Sequence, residues 1–123
     1  MKYLCFAYDD EQAFNDMPLD DWQALRQEVM DYAEQLKNER ILIATHALQG
    51  IATAATVRVR NDEVSVVDGP FAESKEHIGG YFLIEAGSFE EAVQIASKWP
   101  SARIGTIEVR PVEEQLAMDS RYG

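Results

Sequence analysis

The chain has 123 residues, 46% of them apolar and 27% charged, which fits a globular domain with a single core and excludes fibrous and disordered classes. Eleven Lys and Arg stand against twenty-two Asp and Glu, a formal charge of −11. Such a chain repels phosphate backbones and anionic lipid surfaces alike, so no direct nucleic-acid partner and no membrane partner are expected.

Lys2–Tyr8 is a short apolar and aromatic run that predicts a strand. A helix is expected to start around Pro18, with Asp20 and Asp21 in its first turn, where carboxylates meet the positive end of the dipole. Trp22, Leu25, Val29, Ala33 and Leu36 recur at spacings of three and four, so the helix is amphipathic and ends near Asn38. Ile41–Ala47 predicts a second strand. Val57 and Val59 alternate with polar residues, and Val64 and Val66 follow Asn61-Asp62, the pattern of a hairpin with a short turn.

Asp68-Gly69-Pro70 ends the hairpin, and a polar loop is expected up to Gly79-Gly80, where a strand Tyr81–Ala86 begins. Ser88-Phe89-Glu90-Glu91 has the form of a capping box. Phe89, Ala92, Val93, Ala96 and Trp99 are expected to line one face of the helix it starts, which Pro100 stops. Thr106–Val112 predicts the last strand. The order β-α-β, hairpin, β-α-β is, without its hairpin, a split β-α-β pattern. That predicts an α+β, ferredoxin-like antiparallel sheet with an inserted β-hairpin and two helices on one face. Both faces of the Tyr3–Tyr8 and Tyr81–Ile84 strands are apolar, so a second copy of the chain is expected on the uncovered face.

Cys5 is the single cysteine, so no internal disulfide can form, and packing in the core is its expected role. The N-terminus turns acidic before a signal-peptide core could form. The uncharged stretch Ile41–Val57 is short and carries Thr, His, Gln and Gly, a poor lipid segment. A cytoplasmic location is the expectation.

Asp68-Gly69-Pro70-Phe71-Ala72-Glu73-Ser74-Lys75-Glu76, followed by Gly79-Gly80-Tyr81-Phe82-Leu83-Ile84-Glu85, closely resembles the signature of the DGPF-domain proteins of the YCII-related superfamily. Glu108-Val109-Arg110-Pro111-Val112 resembles their closing strand, and Ala54–Arg60 the start of their hairpin. The resemblance spans residues 1–112 as one domain and leaves 113–123 as a C-terminal extension. It implies a dimeric ferredoxin-like fold, but little about activity, because most such proteins have no established reaction. Many are encoded near extracytoplasmic-function sigma factors, which implies a regulatory or accessory setting. Some wider relatives look like small-molecule lyases with a His–Asp pair in a cleft. Asp9 matches the place of their Asp, after the first strand. Their His lies on the first helix, where this chain reads Gln27-Glu28-Val29-Met30-Asp31 and has none.

The candidate acid/base residues are therefore Asp9, Asp68 and His46, and the candidate ligand contacts are Tyr8, Glu73, Lys75 and Tyr81. Each has a structural account beside the chemical one. Asp68-Gly69-Pro70 is explained by turn chemistry, Glu73 and Lys75 by a local ion-pair network, and His46 by burial with a hydrogen bond. His77 is expected to be solvated in its loop. No His-x-x-x-His or Glu-x-x-His spacing is present, and no phosphate-cradling glycine loop, so no metal and no cofactor are expected. Two functions stay open. One is a small homodimeric module that binds a small molecule and plays an accessory or regulatory part. The other is a small-molecule lyase or isomerase using a carboxylate–His pair, with Lys75 holding an anionic group.

Overall fold

Alternation in the first strand, β1 (Lys2–Asp9), decides the layers of the computed structural model, which describes residues 1–118. Tyr3, Cys5 and Ala7 are buried, whereas Leu4, Phe6 and Tyr8 on the opposite face are only half-buried. β1 runs through the middle of a four-stranded antiparallel sheet with β2 (Leu42–Ala47), β5 (His77–Glu85) and β6 (Thr106–Pro111), ordered β2-β5-β1-β6. β5 is thus inserted between β1 and β2, the split arrangement expected from the element order.

The helices α2 (Leu19–Asn38) and α3 (Phe89–Ser97) supply the cover for the buried face. Leu25 and Leu36 of α2 are buried, and Val29, Tyr32 and Ala33 pack beside the core. Phe82 of β5 stacks on Trp99 with ring centroids 3.9 Å apart, forming the centre of that core. The Tyr32 hydroxyl donates to the Ile95 carbonyl at 2.7 Å and ties α2 to α3. Cys5 is fully buried, and that burial pushes its thiol up to about 12.

Four details differ from the sequence-based expectation. A short helix, α1 (Glu11–Asn15), follows β1, started by Asp10, whose carboxylate accepts from the Gln12 amide at 3.0 Å. Five residues are too few to show a helical apolar period, which is why it escaped notice. On α3 the buried stripe is Ala92, Ile95 and Ala96, continued by Trp99 just beyond its end, while Phe89 and Val93 are exposed. One turn of 3.6 residues puts Ile95 on the core side and rotates Val93 to the flank. Ser88 caps α3 by accepting from the Glu91 amide at 3.1 Å, but the Glu91 carboxylate turns back to the Gly87 amide instead of the cap residue's own. Finally, β5 begins at His77, so Gly79 and Gly80 lie inside the strand and not at its start.

The hairpin β3 (Ala55–Arg60) and β4 (Glu63–Asp68) forms a separate two-stranded sheet. Its turn residues Asn61 and Asp62 both take positive φ, +53° and +65°, as a two-residue turn matched to strand twist requires. Val57 pairs with Val66 and Val59 with Val64, and all four are exposed. The expected extension 113–123 lies partly outside the described residues. Its first part docks on β1, where the Glu114 carboxylate accepts from the Lys2 amide at 3.2 Å. Among the described residues no helix is long and apolar enough to cross a membrane.

Candidate functional site

Asp9 closes β1, and the backbone around it is shaped to admit its carboxyl group. The pairing of β1 with β5 slips there: Ala7 faces Gly80, and Tyr8 faces Ile78, so Gly79 is the extra residue of a bulge. A methyl group added at Gly79 would collide with Asp9 Oδ2. One added at Gly105, in the turn before β6, would strike the Tyr8 carbonyl and sit 3.1 Å from Asp9 Oδ1. Two glycines therefore leave the space that the carboxyl group fills. Among the described residues Asp9 Oδ1 is buried and has no hydrogen-bond partner. Burial, and secondarily the negative charge of Glu76, push the Asp9 carboxyl up from its ordinary 3.8 to about 6.

The same carboxyl lines a cavity of about 360 Å³ between α2 and the sheet. Trp22, Leu25, Arg26, Val29, Met30 and Ala33 form its α2 wall, one stripe at helical spacing. Phe82 and Trp99 form part of the opposite side, and Phe14 of α1 closes one end. Glu11 of α1 accepts from the Ile51 amide at 2.7 Å, which anchors that short helix to the segment after β2. The walls are mainly apolar and aromatic, with polar groups at few points, the make-up of a small-molecule site.

Of the residues singled out from the sequence, Asp9, His46 and Tyr81 border this cavity. His46 is exposed, not buried as expected, because it lies near the end of the edge strand β2; it faces Tyr81 of β5, and its Nδ1 lies 2.7 Å from the Tyr81 hydroxyl. Tyr81 alternates with buried Gly80 and Phe82, so its side chain and that of His46 belong to the far face of the sheet. No hydrogen bond joins Asp9 to His46 among the described residues. Tyr8 and Lys75 line a second, shallow recess, where Lys75 approaches Asp10 at 3.9 Å and Tyr8 donates to Glu108 at 3.1 Å. Asp68 sits exposed at the end of β4 opposite Ala55, and Glu73 is exposed in the loop that follows. Neither lines the cavity. His77, expected in a loop, opens β5, and its Nε2 lies 2.9 Å from the Ala72 carbonyl. Among the described residues no group of three or more His, Cys, Asp or Glu side chains is placed to hold a metal ion.

Sequence reasoning missed the α2 wall as a ligand surface, together with Gly79 and Gly105. The spacing of Trp22, Leu25 and Val29 was visible, but the same spacing builds a packed core. No local signal places Gly79 or Gly105 beside Asp9, since only strand pairing brings these distant residues together.

Comparison with known proteins gives a consistent placement. A model of the YCII-related domain family matches residues 1–115. An uncharacterised protein of Rhizobium meliloti (strain 1021) is 30% identical over 114 residues, covering 91% of this chain and 92% of that protein. A solved structure of similar fold is 5-chloro-2-hydroxyhydroquinone dehydrochlorinase from Burkholderia phenoliruptrix AC1100, in complex with 2,5-dihydroxybenzoquinone. It superposes with a TM-score of 0.53 at 16% identity, covering 97% of this chain and all of that one.

Proposed function

The chain belongs to the YCII-related domain family, and from that membership we propose that it binds a small molecule in the cavity beneath α2, with Asp9 as the polar anchor. One observation carries this reading: Asp9, whose Oδ1 is buried with no hydrogen-bond partner among the described residues, lines a cavity that is otherwise mainly apolar. Such an orphan acceptor costs stability unless something fills its place, and two glycines are positioned to keep room for it. Above pH 6 the ionised carboxylate only accepts hydrogen bonds, so the ligand presents a hydroxyl or amine to it.

The test uses the two tryptophans of the chain, Trp22 and Trp99, which both line the cavity. Titration with hydroquinone, whose hydroxyls stay protonated at pH 7, followed by the two indole N–H signals in a nitrogen-15 spectrum, should shift both. Asp9→Ala should weaken the effect at least tenfold. Signals that stay in place, or shifts confined to residues outside the cavity, would refute the reading.

A second reading, proton-transfer catalysis, is favoured by one specific observation. Asp9 is held near neutrality, where a carboxyl group both takes and gives protons readily. The structural neighbour is a dehydrochlorinase, and removing hydrogen chloride requires a base. In this reading Asp9 acts without direct contact to His46. Turnover of a chlorinated hydroquinone with a limb near pH 6, abolished in Asp9→Asn, would support it.

The proposed assembly is a homodimer through the sheet face opposite the helices. Leu4, Phe6, Tyr81 and Leu83 make a half-buried apolar row there, on neighbouring central strands. A binding protein of this kind that performs no chemistry would serve an accessory or regulatory part.

A further inference from the structure

The cavity has a second charged pole, and it narrows the ligand class. The wall that α2 contributes is apolar at Trp22, Leu25, Val29, Met30 and Ala33; Arg26 is its one charged member. Within the described residues no carboxylate comes within 4 Å of Arg26, although the chain holds twice as many acids as bases. The contrast with the same helix is informative: Glu28, two residues on, pairs with Arg103. Acids are thus at hand nearby, and the cation at the cavity is left without one.

Arg26 is also positioned. Its guanidinium lies 5.5 Å from the Trp22 ring centroid, a cation–π contact between two cavity residues one helical turn apart. Arg26 is exposed and so marks the mouth, whereas Asp9, which also lines the cavity, is half-buried. The site therefore has a cation at its opening, aromatic walls, and an acceptor inside.

We infer that the ligand is a small ring-bearing monocarboxylate with a hydroxyl at its other end. Its carboxylate pairs with the Arg26 fork, its ring lies along the partly exposed Trp22, and its hydroxyl donates to Asp9. This rests on the cavity reading above and adds the ligand's charge to it. A planar guanidinium recognises a carboxylate through two parallel hydrogen bonds, which a compact ammonium cannot reproduce. The chain's net charge of −11 does not forbid an anion, because salt screens charges beyond about 8 Å at physiological strength and leaves the nearest cation in control. The competing account is an arginine that merely lays its stem along Trp22 with its head in water.

The experiment compares 4-hydroxybenzoate with its neutral isostere 4-hydroxybenzamide on the full chain, following the Trp22 and Trp99 indole signals. The acid should bind about tenfold more tightly than the amide, the scale of one well-made charge-assisted pair. In Arg26→Gln the acid should lose that advantage while the amide binds as before. Equal binding of acid and amide, or a preference that survives in Arg26→Gln, would overturn the inference and leave the cavity reading intact. Indole signals unmoved by either probe would overturn both.

Discussion

Neutralising Asp9 should make the protein more stable at neutral pH, by an amount its surroundings set. The folded state raises this carboxyl from 3.8 to about 6, so its ionised form is disfavoured on folding. The folded protein holds the proton more tightly than the unfolded chain, so stability falls as pH rises from about 4 through 6. The penalty is absent below about pH 4 and complete above about pH 7. At roughly 1.36 kcal/mol for each tenfold step in acidity, the full displacement corresponds to about 3 kcal/mol. Asp9 keeps some contact with solvent, which screens the charge and lowers the expected figure to about 1–2 kcal/mol. Asp9→Asn keeps the shape and removes the charge. Urea unfolding of both proteins at pH 4, 6 and 8 should give near-equal stabilities at pH 4, with the variant ahead by about 1–2 kcal/mol at pH 8. A difference that does not grow with pH would show that burial of the carboxylate costs nothing, and the reasoning for Asp9 would fail.

Gly79→Ala should cost about 1–3 kcal/mol, because the added methyl collides with the Asp9 carboxylate. Most of that cost should vanish in an Asp9→Ala background, and a double-mutant cycle with no coupling would place the clash elsewhere. Ser88→Ala should cost about 1 kcal/mol through loss of the bond to the Glu91 amide, read as a lower urea midpoint at unchanged slope. On the open sheet face, Leu83→Asp should convert the dimer to monomers in sedimentation velocity at micromolar concentration. A wild-type chain that already sediments as a monomer would remove the proposed interface.

The fold was legible because its elements carry strong local signals. The three-and-four spacing from Trp22 to Leu36 marks α2 to within a residue, and Asn61-Asp62 marks the hairpin turn. Ser88 marks the start of α3. Asp9 stood out only through its resemblance to relatives, and nothing local says that it is buried. The bulge at Gly79 depends on how two strands 70 residues apart align, which no local pattern encodes. The charged loop Asp68–Glu76 drew attention because it holds more charge than its turn needs, yet Asp68 and Glu73 face solvent. Arg26 is hidden for the opposite reason. Among apolar neighbours a single arginine reads as the rim of an amphipathic helix, and only the cavity beneath it gives the residue another role.

The lone cysteine at the centre of β1 gives the molecule an internal clock. Its sulfur is sealed off by neighbouring strands and helices, and with its thiol near 12 only about one group in ten thousand is ionised at pH 8. A thiol reagent therefore has to wait for the sheet to part. When closing outruns labelling, the modification rate is proportional to the equilibrium population of chains in which β1 has come away from its neighbours. Native protein, with no mutation and no denaturant, thus reports an opening of its own core. Any ligand that braces the cavity should slow that reaction in proportion to its occupancy.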